Sequence, residues 1–345
     1  MRIKKFQEIL NKEKIDAAIL FRGNPNINYF SQNPDIGSSS LVIPKDKDPF
    51  FISKKLRFEN LDNEAKIKGI NLDGKLGDFI NKGFYGKTIG LDKLNLSSLI
   101  FDKFKKEWKV RIVDVSKILS ELRVVKSGDE IDKISKNCKI LSETFREVLD
   151  NFDFKTEREV EVALSNISKE KGGDFCFKPI VASGVNSATP HYMANSSKLK
   201  KGFCIIDFGV KYEGYCSDMT RTIFIGKPKK EHLEAYNKVL EAHNLAAEIT
   251  KPEMKAEALH KRILEYFGKS KDYFIHNLGH GVGIEIHELP SLALESKDIL
   301  KKNSCFTIEP GLYFPKKFGI RIEELYLLKN KVIPLTDYSK ELKIL

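Results

Sequence analysis

The chain has 345 residues, 41% of them hydrophobic, and a formal net charge of +11. That is enough apolar material for a sizeable core, and the length suggests about two domains. No apolar run approaches the roughly 18 to 20 residues of a membrane span, and the lysines are scattered among acids ("NKEK", "KFKKE", "KLKKG", "KPKKE"), which describes a solvated surface and not a nucleic-acid arm.

The N-terminal stretch "MRIKKFQEILNKEKIDAAIL" has charge throughout and no unbroken apolar segment, so a secretory signal is not expected. It begins a region in which strand and helix signals alternate. "IDAAILF", "SSLVIP", "PFFIS", "KTIGL" and "VRIVDV" have strand length, whereas "MRIKKFQEILNKE", "RFENLDNEAK" and "LSSLIFDKFKKE" have helical spacing. An α/β domain is expected over residues 1–122.

A second domain, residues 123–345, is expected to be α+β. Ser127 and Glu130 form a capping box ahead of Ile131, Ile134, Cys138, Leu141 and Phe145, which recur at helical spacing. Further helices are predicted over "TEREVEVALSNISKEKG", ending at Gly172, and over "KEHLEAYNKVLEAHNLAAEI". The strands "FCIIDFGV", "MTRTIFIG", "NSCFTIEPGLYF" and "GIRIEELYLL" have short connections, which predicts antiparallel pairs. The cysteines, five in number, are widely spaced and lack any CxxC. They read as free thiols in a reducing, cytoplasmic compartment.

Several of these strands carry carboxylates where a core is being built. Asp207 and Asp218 lie in "CIIDFGVKYEGYCSDMTRT", with "KYEG" as a turn that would set them side by side across a hairpin. An ionised carboxylate buried alone is costly, so it must be paired, protonated or bound to a cation. Glu309 in "TIEPG" and Glu323 in "RIEE" repeat the oddity, and strand alternation puts Arg321 on the face of Glu323. His280 in "HNLGHGVGIEIHE" has glycines on both sides, which allow close backbone approach. This oxygen-rich set suits Mn, Co, Fe or Zn, and four negative charges match two dications. His232, His243 and His260 fall on helical segments. His243, on a stripe with Tyr236, Leu240 and Ala247, reads as a packed core histidine.

"IIDFGVKYEGYCSDMTRT", "GHGVGIEIHE", "TIEPGLYF" and "GIRIEE", in that order and preceded by "FKPIVASGVNSATPHY", resemble the pita-bread metallopeptidases, which include methionine aminopeptidase, aminopeptidase P, prolidase and creatinase. "NPNINYFS" and "LRVVKSGDEI" are similar to the N-terminal domain of creatinase, prolidase and aminopeptidase P. The resemblance implies a C-terminal pita-bread domain behind a smaller creatinase/prolidase-type α/β domain. It implies two divalent metal ions: Asp207 and Asp218 on one, with Asp218 bridging, His280 and Glu309 completing the other, and Glu323 bridging the pair. It places Glu309 as proton shuttle, and His191, His276 and His287 as cleft histidines that bind substrate. Arg321 would orient the carboxylate ligands or meet the substrate, or else form a purely structural ion pair with the metal-bound carboxylates.

The implied activity is hydrolysis of Xaa-Pro bonds, with prolidase favoured over aminopeptidase P and a non-catalytic binding protein on the same fold as the remaining alternative. The implied partner is an Xaa-Pro peptide, with a homodimer and no nucleic-acid or membrane partner. One departure stands out. Many prolidases hold the substrate's C-terminal carboxylate with an arginine downstream of "HE", but here that region reads "HELPSLALESKDILKKN", with lysines only. A lysine there would act as a point charge without the bidentate fork.

Overall fold

The computed structural model describes residues 2–33, 39–53, 67–72 and 74–345. The chain divides into two compact units, residues 1–122 and 123–345.

In the first unit, apolar runs bounded by turns form β1 (Ala17–Leu20), β2 (Ser40–Pro44), β3 (Phe50–Ser53), β4 (Lys68–Asn71), β5 (Thr88–Leu91) and β6 (Arg111–Asp114). They make one mixed sheet in the order β4-β3-β2-β1-β5-β6. β1 runs antiparallel to β2 and parallel to β5. Helix Arg2–Lys12 buries Phe6 and Leu10, one turn apart on a single face. Trp108 closes the core against Ile80 and Ile89, with its ring stacked 4.3 Å from that of Phe104. The helix predicted over "RFENLDNEAK" lies outside the described residues. β4 and the helices Pro25–Ser31 and Leu76–Phe84 were not predicted.

The second unit opens with helix Gly128–Asp150, which carries the expected Ser127/Glu130 capping box. Helix Glu157–Glu170 is capped by Thr156 and stops before Gly172, whose φ is +85°. These two helices cover the sheet β12-β9-β8, with Phe145, Leu141, Val160 and Leu164 packed on Val181, Ile206 and Phe208. That sheet comprises β8 (Ile180–Ser183), β9 (Gly202–Phe208) and β12 (Met219–Ile225). A small sheet beside it holds β7 (Asp174–Phe175), β10 (Val210–Tyr212) and β11 (Tyr215–Cys216).

Helices Lys230–Ile249 and Ala256–Phe267 cover a second sheet through Tyr236, Val239, Leu259 and Ile263, which meet Phe306 and Tyr326. This sheet runs β14-β13-β15-β18-β19. Its strands are β13 (Gly279–Gly281), β14 (Glu288–Leu292), β15 (Cys305–Ile308), β18 (Glu324–Leu328) and β19 (Val332–Pro334). β16 (Gly311–Phe314) and β17 (Phe318–Arg321) form a separate ribbon. Every pairing between the named strands of this unit is antiparallel, as the short connections predict, and an isolated parallel bridge joins Phe224 to Ile344.

Two of the predicted strands are interrupted. "NSCFTIEPGLYF" breaks at Glu309–Pro310 between β15 and β16, and "GIRIEELYLL" breaks at Ile322–Glu323 between β17 and β18. The chain passes from one sheet to another at each break, because Pro310 lacks the N–H that a continuous ladder needs and Ile322 donates its own N–H back to the Pro310 carbonyl. Among the described residues no helix is long and apolar enough to cross a membrane.

Candidate active site

The hairpin β9–β12 is in register with Asp207 opposite Thr220 and Phe208 opposite Met219. Beyond Phe208 the ribbon diverts into the hairpin β10–β11, closed by Glu213 and Gly214 at φ 49° and 78°. Positive φ at both central residues is the signature of a type I′ turn. The crossing point requires Gly209, where a Cβ would lie 2.2 Å from the Ser217 carbonyl oxygen. Asp207 and Asp218 therefore come together across the hairpin, as the sequence suggested, with Asp218 just outside the β12 ladder.

His280 sits at the centre of β13. A Cβ on Gly279 would lie 2.0 Å from the Thr307 carbonyl, and one on Gly281 would lie 2.2 Å from that of Leu289. The glycines let β13 press between its neighbours and carry His280 to the end of β15, next to Glu309. Thr307 Oγ1 accepts from the His280 N–H at 3.1 Å and helps hold this backbone.

All nine of the predicted site residues line one cleft of about 530 Å³: His191, Asp207, Asp218, His276, His280, His287, Glu309, Arg321 and Glu323. Phe177, Ile180, Tyr192, Met193 and Ile286 give it apolar walls. His280 Nε2 is 3.5 Å from Asp218 Oδ2 and 3.6 Å from Glu309 Oε1. Its Nδ1 is 3.2 Å from the Gly281 carbonyl oxygen. A carbonyl only accepts, so Nδ1 carries the hydrogen and Nε2 turns a lone pair toward two carboxylates. Three acceptors facing one another call for a cation between them.

Other features of the cluster agree. Asp218, His280 and Glu323 each offer a ligand atom, all within 4.8 Å of one another. Asp207 Oδ1 and Asp218 Oδ1 are buried without a hydrogen-bond partner among the described residues. Burial, then the charges of Glu323, Asp207 and Glu309, pushes the Asp218 carboxyl well above its ordinary range. Burial and the Glu323 charge do the same to Glu309. Burial and Asp207 raise Glu323 to about 8. Burial lowers His280 to about 4, with the neighbouring His287 adding to the effect. The donor set thus fits divalent metal ions, which would neutralise charges that otherwise repel one another.

Some partners were not foreseen. Thr220 Oγ1 donates to Glu323 Oε2 at 2.6 Å and accepts from Arg321 Nε at 3.1 Å. Only its register opposite Asp207 in "MTRT" hinted at this. Tyr313 receives a hydrogen bond from Arg321 Nη1, and its hydroxyl lies 3.0 Å from His276 Nε2. His276 Nδ1 in turn donates to the Asn277 carbonyl at 2.8 Å. Burial, then Arg321, lowers His276 to about 3, so its ring is neutral. His191 and His287 are exposed at the cleft. His243 is fully buried near Tyr326, the packed position expected of it. Lys297, Lys301 and Lys302, the lysines downstream of "HE", do not line the cleft; Lys178 does.

Residues 2–125 match the creatinase/prolidase N-terminal domain, and residues 132–330 match metallopeptidase family M24. A curated Xaa-Pro dipeptidase of Pyrococcus furiosus is 33% identical over 350 residues, 99% of each chain. A crystal structure of a prolidase from Thermococcus sibiricus, 33% identical, superposes with a TM-score of 0.91 over 100% of this chain and 98% of that one. An Xaa-Pro dipeptidase from Bacillus anthracis, 28% identical, gives 0.92 over 100% and 99%. The segment that builds the cleft is the segment that matches, and the chain belongs to metallopeptidase family M24, whose chemistry implies divalent metal ions.

Proposed function

We propose that the protein is a prolidase, cutting Xaa-Pro dipeptides with two divalent ions held by Asp207, Asp218, His280, Glu309 and Glu323. The observation that carries this is the convergence of Asp218, His280, Glu309 and Glu323 from β13 and the ends of other strands on one cleft, where Asp207 Oδ1 and Asp218 Oδ1 are buried without a partner among the described residues. End-to-end similarity to Xaa-Pro dipeptidases supports the substrate class. Residues 1–122 would be the N-terminal domain and 123–345 the catalytic one. The oxygen-rich ligand set fits Mn, Co, Zn or Fe. The cysteines are free thiols, which suits a cytoplasmic protein. A homodimer is the assembly we expect.

When bound, the ions supply Lewis acidity that acidifies a water and polarises the scissile carbonyl. Glu309 is the proton carrier. Burial raises its proton affinity, and its oxygens lie 3.6 and 3.8 Å from His280 and His276, so it accepts a proton and returns it to the leaving nitrogen. His276 has both ring nitrogens engaged by Tyr313 and Asn277 and fixes the cleft wall. His191 and His287 are the histidines left for substrate hydrogen bonds. Arg321 holds Asp207 in place.

The test is release of proline from Ala-Pro, Leu-Pro and Gly-Pro by metal-stripped protein given Mn, Co or Zn, beside Arg-Pro-Pro and a methionyl peptide. Metal-dependent cleavage of the dipeptides is expected. Cleavage of the tripeptide alone would make the enzyme an aminopeptidase P.

A further inference from the structure

A dipeptide ending in proline carries a carboxylate one residue past the bond that breaks. A cleft that selects dipeptides must offer that charge a cation. Besides histidines, two cationic side chains among the described residues line the cleft, Arg321 and Lys178. Arg321 is committed elsewhere. Its Nε donates to Thr220, Nη1 to Tyr313 and the Pro190 carbonyl, and Nη2 to Asp207, and the residue is buried. Lys178 is exposed and makes no hydrogen bond or ion pair among the described residues.

The backbone around Lys178 is fixed. Ile180 pairs with Asp207 in the β8–β9 ladder. Lys178 lies two residues before that ladder begins. Pro179 restricts the turn between them, and the Cys176 N–H donates to the Gly209 carbonyl at 3.0 Å on the far side. Phe177 and Ile180 flank the lysine in the cleft wall, giving an apolar seat for a pyrrolidine ring beside an ammonium.

We infer that Lys178 is the specificity-determining cation that receives the free C-terminal carboxylate of the substrate; the inference rests on the prolidase reading. As a compact point charge at an exposed position, it should act mainly on substrate binding, and its contribution should weaken with salt.

The experiment uses the full chain loaded with Mn, and compares Ala-Pro with its C-terminal amide. In Lys178→Met the acid-to-amide ratio of kcat/KM should fall about tenfold, as expected for loss of a charge-assisted contact. The fall should reside in the KM for the acid, and Lys178→Arg should recover most of it. An unchanged ratio in Lys178→Met would overturn the inference while leaving the prolidase reading intact. If the unsubstituted chain hydrolyses neither substrate, the prolidase reading fails and the inference falls with it.

Discussion

Arg321 Nη2 donates to Asp207 Oδ2 at 2.6 Å, and both residues are buried. Among the described residues it is the one guanidinium that lines the cleft beside the carboxylates, and it holds Asp207 while Asp207 Oδ1 has no partner. One oxygen is thus anchored and the other kept available.

Removing the guanidinium from the metal-free protein leaves a buried carboxylate unpaired, which costs roughly 3 to 5 kcal/mol. Arg321→Met should therefore lower the metal-free Tm by at least about 6 °C. Saturating Mn should restore part of the loss. Thermal unfolding by circular dichroism measures both, and an unchanged metal-free Tm would contradict the pairing.

Asp218→Asn should behave in the opposite way. It removes charge from a group that Glu323, Asp207 and Glu309 already repel, so the metal-free Tm should hold or rise. Affinity for Mn should drop by at least about a hundredfold, since a carboxylate ligand is lost. Titration calorimetry at constant pH gives the affinity. Wild-type binding by the variant would remove Asp218 from the ligand set.

The metal-free protein should lose stability as pH rises from about 7.5 to about 8.5. Glu323 ordinarily titrates near 4.5 and is raised to about 8 in the fold. The native state therefore holds a proton that the unfolded chain releases, and stability declines with pH through that interval. His276 and His280, lowered to about 3 and 4 from 6.5, act the other way, as do His243, His260 and His287, which burial also lowers; the unfolded rings give up their protons by about pH 7.5, so the decline emerges above that. Denaturant titrations at about pH 7.5, 8 and 8.5 test the sign. Metal requires the deprotonated carboxylates, so its affinity should climb across the same interval. A metal-free stability that rises with pH would refute the account of Glu323.

Gly279→Ala should displace His280 without touching its side chain. The new Cβ would meet the Thr307 carbonyl at 2.0 Å and force β13 off β15. We expect a loss of about 1 to 3 kcal/mol in stability and a large loss of metal affinity. A variant that binds metal normally would show that the strand spacing does not position the histidine.

Much of this was legible in the chain. The carboxylates of "IIDFG", "CSDMT", "TIEPG" and "RIEE" stood out because a charge inside an apolar run needs a reason, and the cleft gathers them. Glycines flanking His280 signalled close approach, and the approach is there. The strand breaks were harder. In "GIRIEELYLL" the doublet Glu323–Glu324 interrupts the apolar alternation, but only tertiary pairing shows that the chain leaves β17 for β18 there. β14 carries Pro290, which argues locally against a strand. Helix Ala256–Phe267 carries a signal in Leu259, His260, Ile263 and Phe267 at helical spacing before Gly268, but it is not among the predicted helices. Thr220 and Tyr313 are ordinary strand residues by sequence, and their place beside Arg321 comes from register alone.

The most direct test of the proposed centre is a count of bound metal against turnover. Metal-stripped protein would be titrated with Mn, dialysed, and assayed for metal per chain and for Ala-Pro hydrolysis, with Asp218→Ala and Glu323→Ala in parallel. The account predicts two ions per chain, with turnover emerging as the sites fill, and loss of both metal and turnover in each variant while the fold persists. Full turnover in either variant, or in protein that holds no divalent metal, would contradict it.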